Sequence, residues 1–195
     1  MKLRKLILAL TGATVLLGAL VSSASARSFS FSSQTQSILW ARMSYAGGIG
    51  GAINCEVLLS GTLHSRTMVK SVGSLIGYIT SARVLGCERA GMTFKQESLP
   101  WHRKYGGFGG TLPNISSTIE TATGAEWTIR EPGGITCSVV NATVTATNTI
   151  VAGAVTRVAV ASRARCGGFF EGTLSGTTET VAATLGGARI TVTLI

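Results

Sequence analysis

The sequence predicts an all-β protein, with an antiparallel β-sandwich as the first choice of architecture and a barrel as the second. Three observations carry this expectation. Apolar and polar residues alternate with period two in several segments, which places one strand face on a core and the other toward water. Paired glycines punctuate the chain at 47–48, 106–107, 133–134, 167–168 and 186–187, where turns between strands are expected. Threonine, which packs well on a pleated and half-exposed surface, occurs 23 times after residue 26.

The chain opens with Lys2, Arg4 and Lys5, followed by an apolar run from Leu6 to Val21 and by Ala24-Ser25-Ala26. A basic start, an apolar centre and a small-x-small end form the three-part layout of a secretory signal peptide. Residues 1–26 are therefore expected to be removed, leaving a single β domain of residues 27–195. No later segment is long and apolar enough to span a membrane as a helix. The leader holds three of the 17 basic residues, so residues 27–195 carry 14 Lys and Arg against eight acidic side chains. These bases are scattered singly apart from Arg103-Lys104 and Arg163-Ala-Arg165. That pattern predicts a solvated basic surface and no specific nucleic-acid partner.

The clearest strand runs from Cys55 to Leu63, where Cys55, Val57, Leu59, Gly61 and Leu63 share one face. At the C-terminus Ala188, Ile190, Val192 and Leu194 alternate in the same way, whereas Ile115 to Glu126 has no clear period. Cys55, Cys87, Cys137 and Cys166 are an even set in a chain expected to be exported, which implies two disulfides. Four cysteines allow three connectivities. The surroundings of the two halves favour Cys55–Cys87 and Cys137–Cys166. Gly50-Gly51-Ala-Ile-Asn-Cys55 echoes Gly133-Gly134-Ile-Thr-Cys137, and Phe108-Gly-Gly-Thr-Leu112 echoes Phe170-Glu-Gly-Thr-Leu174. Two related β units, about 45–112 and 130–195, are expected from these echoes.

Little in the sequence points to catalysis. The chain has no aspartate, only His64 and His102 as histidines, no CxxC pair for a metal site and no GxSxG elbow. Glutamate pairs such as Glu88 with Glu97 or Glu120 with Glu126 are the remaining carboxylate candidates for glycoside chemistry, and surface roles are expected for them. No enzyme activity, cofactor or metal is therefore expected. The segment Leu99-Pro-Trp-His-Arg-Lys-Tyr105 concentrates aromatic and basic side chains beside glycines. Trp101, His102, Arg103 and Tyr105 are the candidate ligand-binding residues, because Trp and Tyr on a loop stack on sugars or anchor interfaces. For Trp101 itself the preferred expectation is that it plugs one end of the sandwich core.

The run from Cys55 through Ile79-Thr-Ser-Ala to Cys87, followed by Leu99-Pro-Trp101, resembles the Pra-type secreted proteins described as alkane-oxidation activators. Leu-Pro-Trp-His, Gly-Thr-Leu-Pro-Asn-Ile and the terminal Ala-Arg-Ile-Thr-Val-Thr-Leu resemble more closely a group of secreted actinobacterial β-rich proteins. The resemblance implies an extracellular or cell-surface, non-enzymatic role, structural or adhesive. Cell-envelope polysaccharide or further copies of the chain are the expected partners. A carbohydrate- or glycolipid-binding module is the alternative, and a small secreted hydrolase comes third. The first test concerns processing. Mass spectrometry of the exported protein is expected to give Arg27 as its first residue, with both intra-unit disulfides formed; intact Met1 or free thiols would contradict it.

Overall fold

The computed structural model describes residues 28–47, 51–89, 91–130, 134, 136–166, 170–177, 181–183 and 187–195. The expected signal peptide lies outside them. The described residues form antiparallel sheets, in agreement with the all-β expectation. Thirteen strands are described: β1 Ser28–Phe31, β2 Thr35–Ala46, β3 Ile53–Leu63, β4 Thr67–Val69, β5 Leu75–Cys87, β6 Gly91–Phe94, β7 Trp101–Thr111, β8 Asn114–Arg130, β9 Thr136–Val151, β10 Ala154–Cys166, β11 Phe170–Thr177, β12 Val181–Ala183 and β13 Val192–Leu194. A single 3-10 turn, Gln96–Ser98, stands between β6 and β7.

Eight of these strands pair in a circuit. The order β2-β3-β5-β7-β8-β9-β10-β11 is hydrogen-bonded throughout, and β11 pairs back onto β2, with Leu174 opposite Tyr45. β6 extends the row on β8, and β12 lies along β2. A smaller sheet, β13-β1-β4, places Phe29 against Tyr105 and Phe108.

The core follows from period-two alternation. On β3 the buried positions are Ile53, Cys55, Val57, Gly61 and Leu63, with Leu59 packed against the same core. β8 fills the unclear region between 115 and 126 with a strand. Thr118 and Glu120 point to the core before Gly124, and Ala125, Trp127 and Ile129 point there after it. Gly124 has φ +86°, and the β8–β9 register shifts around it. One extra residue resets the phase, so no single period runs through the segment. Gly106 and Gly107, expected as a turn, lie within β7, where the register against β8 also shifts. Strand pairing continues across this pair because the irregularity is absorbed without reversing the chain.

Cys55 and Cys87 face each other in the β3–β5 ladder and are disulfide-bonded, as expected. No cysteine among the described residues is free. The second expected bond falls on the Cys166 side chain, which lies outside the described residues. Close packing marks Gly77 on β5: a Cβ there would collide with the Thr62 carbonyl and crowd the Leu63 backbone. Neither obstacle is a flexible side-chain end. Gly77→Ala is therefore expected to lower stability by about 1–3 kcal/mol, measured by urea unfolding, whereas Gly86→Ala, which meets nothing within 4 Å, is expected to be neutral.

Candidate functional site

The candidate ligand-binding residues lie on strand β7, and this corrects the loop expected for them. Strand geometry then divides them. Trp101, Arg103 and Tyr105 are buried on the core face, while His102 is exposed on the opposite face beside Lys104. A single patch built from all four side chains is thereby excluded, since consecutive residues of a strand point to opposite sides. Trp101 packs edge-on against Phe94, with ring centroids 5.4 Å apart, and its indole N–H donates to Ser98 Oγ at 2.9 Å. It occupies the plug role.

Arg103 ends beside Glu120. Its Nε donates to Glu120 Oε2 at 2.9 Å, and Nη2 donates to the same oxygen. The other carboxylate oxygen, Oε1, accepts from Asn148 Nδ2 at 2.9 Å, and Asn148 also donates to Thr118 Oγ1 at 3.2 Å. Arg103, Glu120, Asn148 and Thr118 are all buried. The charges face each other with several hydrogen bonds, which is the condition under which a buried ion pair is tolerated. Tyr105 contributes a different feature: its hydroxyl is buried without a hydrogen-bond partner, and burial pushes the phenol pKa up.

A cavity of about 60 Å³ adjoins this network, with Trp40, Trp101 and Trp127 among its walls. Trp40 donates its indole N–H to the Val158 carbonyl at 3.3 Å, whereas the Trp127 indole nitrogen has no partner among the described residues. Space of this size is well below the ~300–1,000 Å³ typical of small-molecule sites, and below the ~150 Å³ that admits benzene. The enclosed region is principally a packed core.

The outer face holds both histidines. Tyr78 on β5 stands between them, with ring centroids 4.9 Å from His64 and 5.3 Å from His102, both edge-on. Three of the carboxylate candidates have partners of their own: Glu120 pairs with Arg103, Glu126 pairs with Lys95 at 2.9 Å, and Glu88 accepts from Asn54 Nδ2 at 2.7 Å. Among the described residues no group of three or more His, Cys, Asp or Glu is placed to hold a metal ion.

Residues 82–87 of β5 and 91–94 of β6 border an open groove of about 670 Å³, together with Arg89 and Gln96. Sequence reasoning missed this groove, because no residue along it carries a motif. The Arg103–Glu120 partnership had one readable clue: in Trp-His-Arg-Lys-Tyr, residues 101, 103 and 105 share a strand face. No protein-family profile matches the chain, and no curated protein or solved structure matches it.

The ion pair gives a direct test. Arg103→Met is expected to cost about 3–5 kcal/mol because Glu120 would be left as an uncompensated buried charge. Adding Glu120→Met in the same chain is expected to recover most of that loss. Urea unfolding of both variants provides the measurement, and an unchanged single variant would contradict the buried pairing.

Proposed function

We propose that this chain is an exported, non-enzymatic interaction protein, a disulfide-braced β-barrel that binds through its outside. The observation that carries this function is the packed inner face, where the cavity beside Arg103 and Glu120 is about 60 Å³ and the two charges satisfy each other. A ligand pocket needs several times that space. The pairing of β11 with β2 supports a barrel over a sandwich, since the eight-strand circuit has no terminal strand. Its largest apolar side chains, such as Trp40, Trp127 and Ile129, face inward and residues such as Thr143, Arg157 and Arg163 face outward, the reverse of a membrane barrel.

The same circuit divides into two four-strand sets, β2-β3-β5-β7 and β8-β9-β10-β11, whose bounds differ from the expected units of about 45–112 and 130–195 because β8 joins the second set. Cys55 and Cys87 lie on the second and third strands of the first set, and Cys137 and Cys166 on the second and third of the other. The disulfide described in the first set is consistent with an oxidising compartment. Structural or adhesive roles and cell-envelope partners remain within this proposal.

A second reading, glycan binding, is favoured by the outer row of His64, Tyr78 and His102. Aromatic side chains at a surface can pack against sugar rings. Analytical ultracentrifugation of the purified protein, alone and with soluble cell-wall polysaccharide, separates the alternatives. Concentration-dependent self-association of the protein alone, unchanged by polysaccharide, is the expected result. Co-sedimentation with polysaccharide that is lost in Tyr78→Ala would select the glycan reading. Turnover of ester, peptide or glycoside substrates by the purified chain would overturn both.

A further inference from the structure

Strand β5 has unequal edges. One pairs with β3 from Gly77 to Cys87, while the other pairs with β7 only from Leu75 to Ile79. Beyond Ile79, β5 has no ladder partner on that second side among the described residues. Strand β6, which follows it in the chain, pairs with β8 alone. The groove of about 670 Å³ lies along this unpaired stretch. Consecutive residues of both strands line it, so what it exposes includes strand edges as well as one side-chain face.

Two further observations indicate what would lie there. Gln96 Nε2 donates to the Ala82 carbonyl at 3.0 Å and to the Phe94 carbonyl at 3.2 Å, spanning from β5 to β6. A side-chain amide thus supplies donors where a neighbouring strand would supply backbone N–H groups. Arg83 and Arg89, both exposed, also line the groove, and neither has an ion-pair partner among the described residues. Glu88, the adjacent carboxylate, is held by Asn54 and lies 3.9 Å from Arg42. Leu85 offers an apolar side chain on the same strand and is 53% exposed.

We propose that the unpaired edge of β5 docks an extended polypeptide segment bearing acidic side chains, which adds alongside Ala82–Cys87 with its carboxylates near Arg83 and Arg89. Strand addition takes affinity from main-chain hydrogen bonds and specificity from side chains at alternate positions. The two arginines select negative charge. A second copy of this basic chain, with 14 Lys and Arg against eight acidic residues after residue 26, is a poorer electrostatic match. The Cys55–Cys87 bond anchors the end of the docking strand, so little order has to be gained there on binding. This site deepens the proposed interaction function and rests on it.

The test uses the disulfide-bonded protein and a ten-residue peptide of alternating Glu and Val, with a Lys-for-Glu peptide as control. Amide hydrogen exchange is expected to show protection by the Glu peptide within residues 82–87. Arg83→Glu/Arg89→Glu is expected to weaken its binding at least tenfold while leaving the melting temperature unchanged. Equal binding of the Lys peptide, or protection confined to other strands, would overturn the proposal. So would protection by polygalacturonate but not by the Glu peptide, or protection that depends only on protein concentration. In each of those cases an association found by ultracentrifugation would leave the broader interaction function standing, whereas catalytic turnover would remove it.

Discussion

Glu120 is a carboxylate on an inward strand face, and its neighbours dictate how three strands must align. Arg103 on β7, Glu120 on β8 and Asn148 on β9 meet only in the observed registers, with Tyr105 opposite Glu120 and Thr118 opposite Asn148. A one-residue slip of β8 would turn Glu120 toward solvent and leave Arg103 unpaired in the core. Apolar side chains around the pair tolerate small shifts, but a buried charge does not. The network therefore acts as a register lock, and the inner positions of Trp101, Tyr105 and Trp127 follow from it.

Register is adjusted by local irregularities. The β2–β3 ladder shifts between Trp40 and Met43, which lets both point inward although they are three positions apart. On β8 and β9 the phase changes occur near each other, at Gly124 with φ +86° and Asn141 with φ 51°. Glycine and asparagine are the residues that adopt such angles at least cost. These positions let long strands keep an apolar inner face while the sheet bends, and they supply extra local twist.

The same pairing pattern concentrates the openings on one side. β7 leaves β5 after Ile79, and β6 takes the place beside β8 without forming a ladder to β5. A Gln96 side chain bridges this separation, and the Cys55–Cys87 bond ties the far end of β5 to β3. On the chain-entropy model a loop of this length disfavours the unfolded chain by about 3–4 kcal/mol. The edge is thus braced at both ends and unpaired between them. The aromatic row of His64, Tyr78 and His102 occupies the outer face of the other half of β5, so one strand carries both surface features.

Composition and alternation by themselves determined the all-β class and the β3 strand, and the echo between the two halves of the sequence favoured the cysteine pair that joins β3 to β5. Each depends on near neighbours or on simple period-two burial, which a linear sequence records. The candidate site was legible only in part. Trp101 could be recognised as a core residue because a large apolar side chain has few alternatives to burial, but the loop assigned around it was wrong: glycines that suggest a turn also accommodate a register shift. Arg103 reads as a surface base until the β7–β8 ladder, with Tyr105 opposite Glu120, brings that carboxylate diagonally across from it. The β5 groove has no sequence signature at all. A strand edge is open or closed according to which strand lies beside it, and only the tertiary structure decides that, because backbone hydrogen bonds between distant segments are nearly independent of side-chain identity.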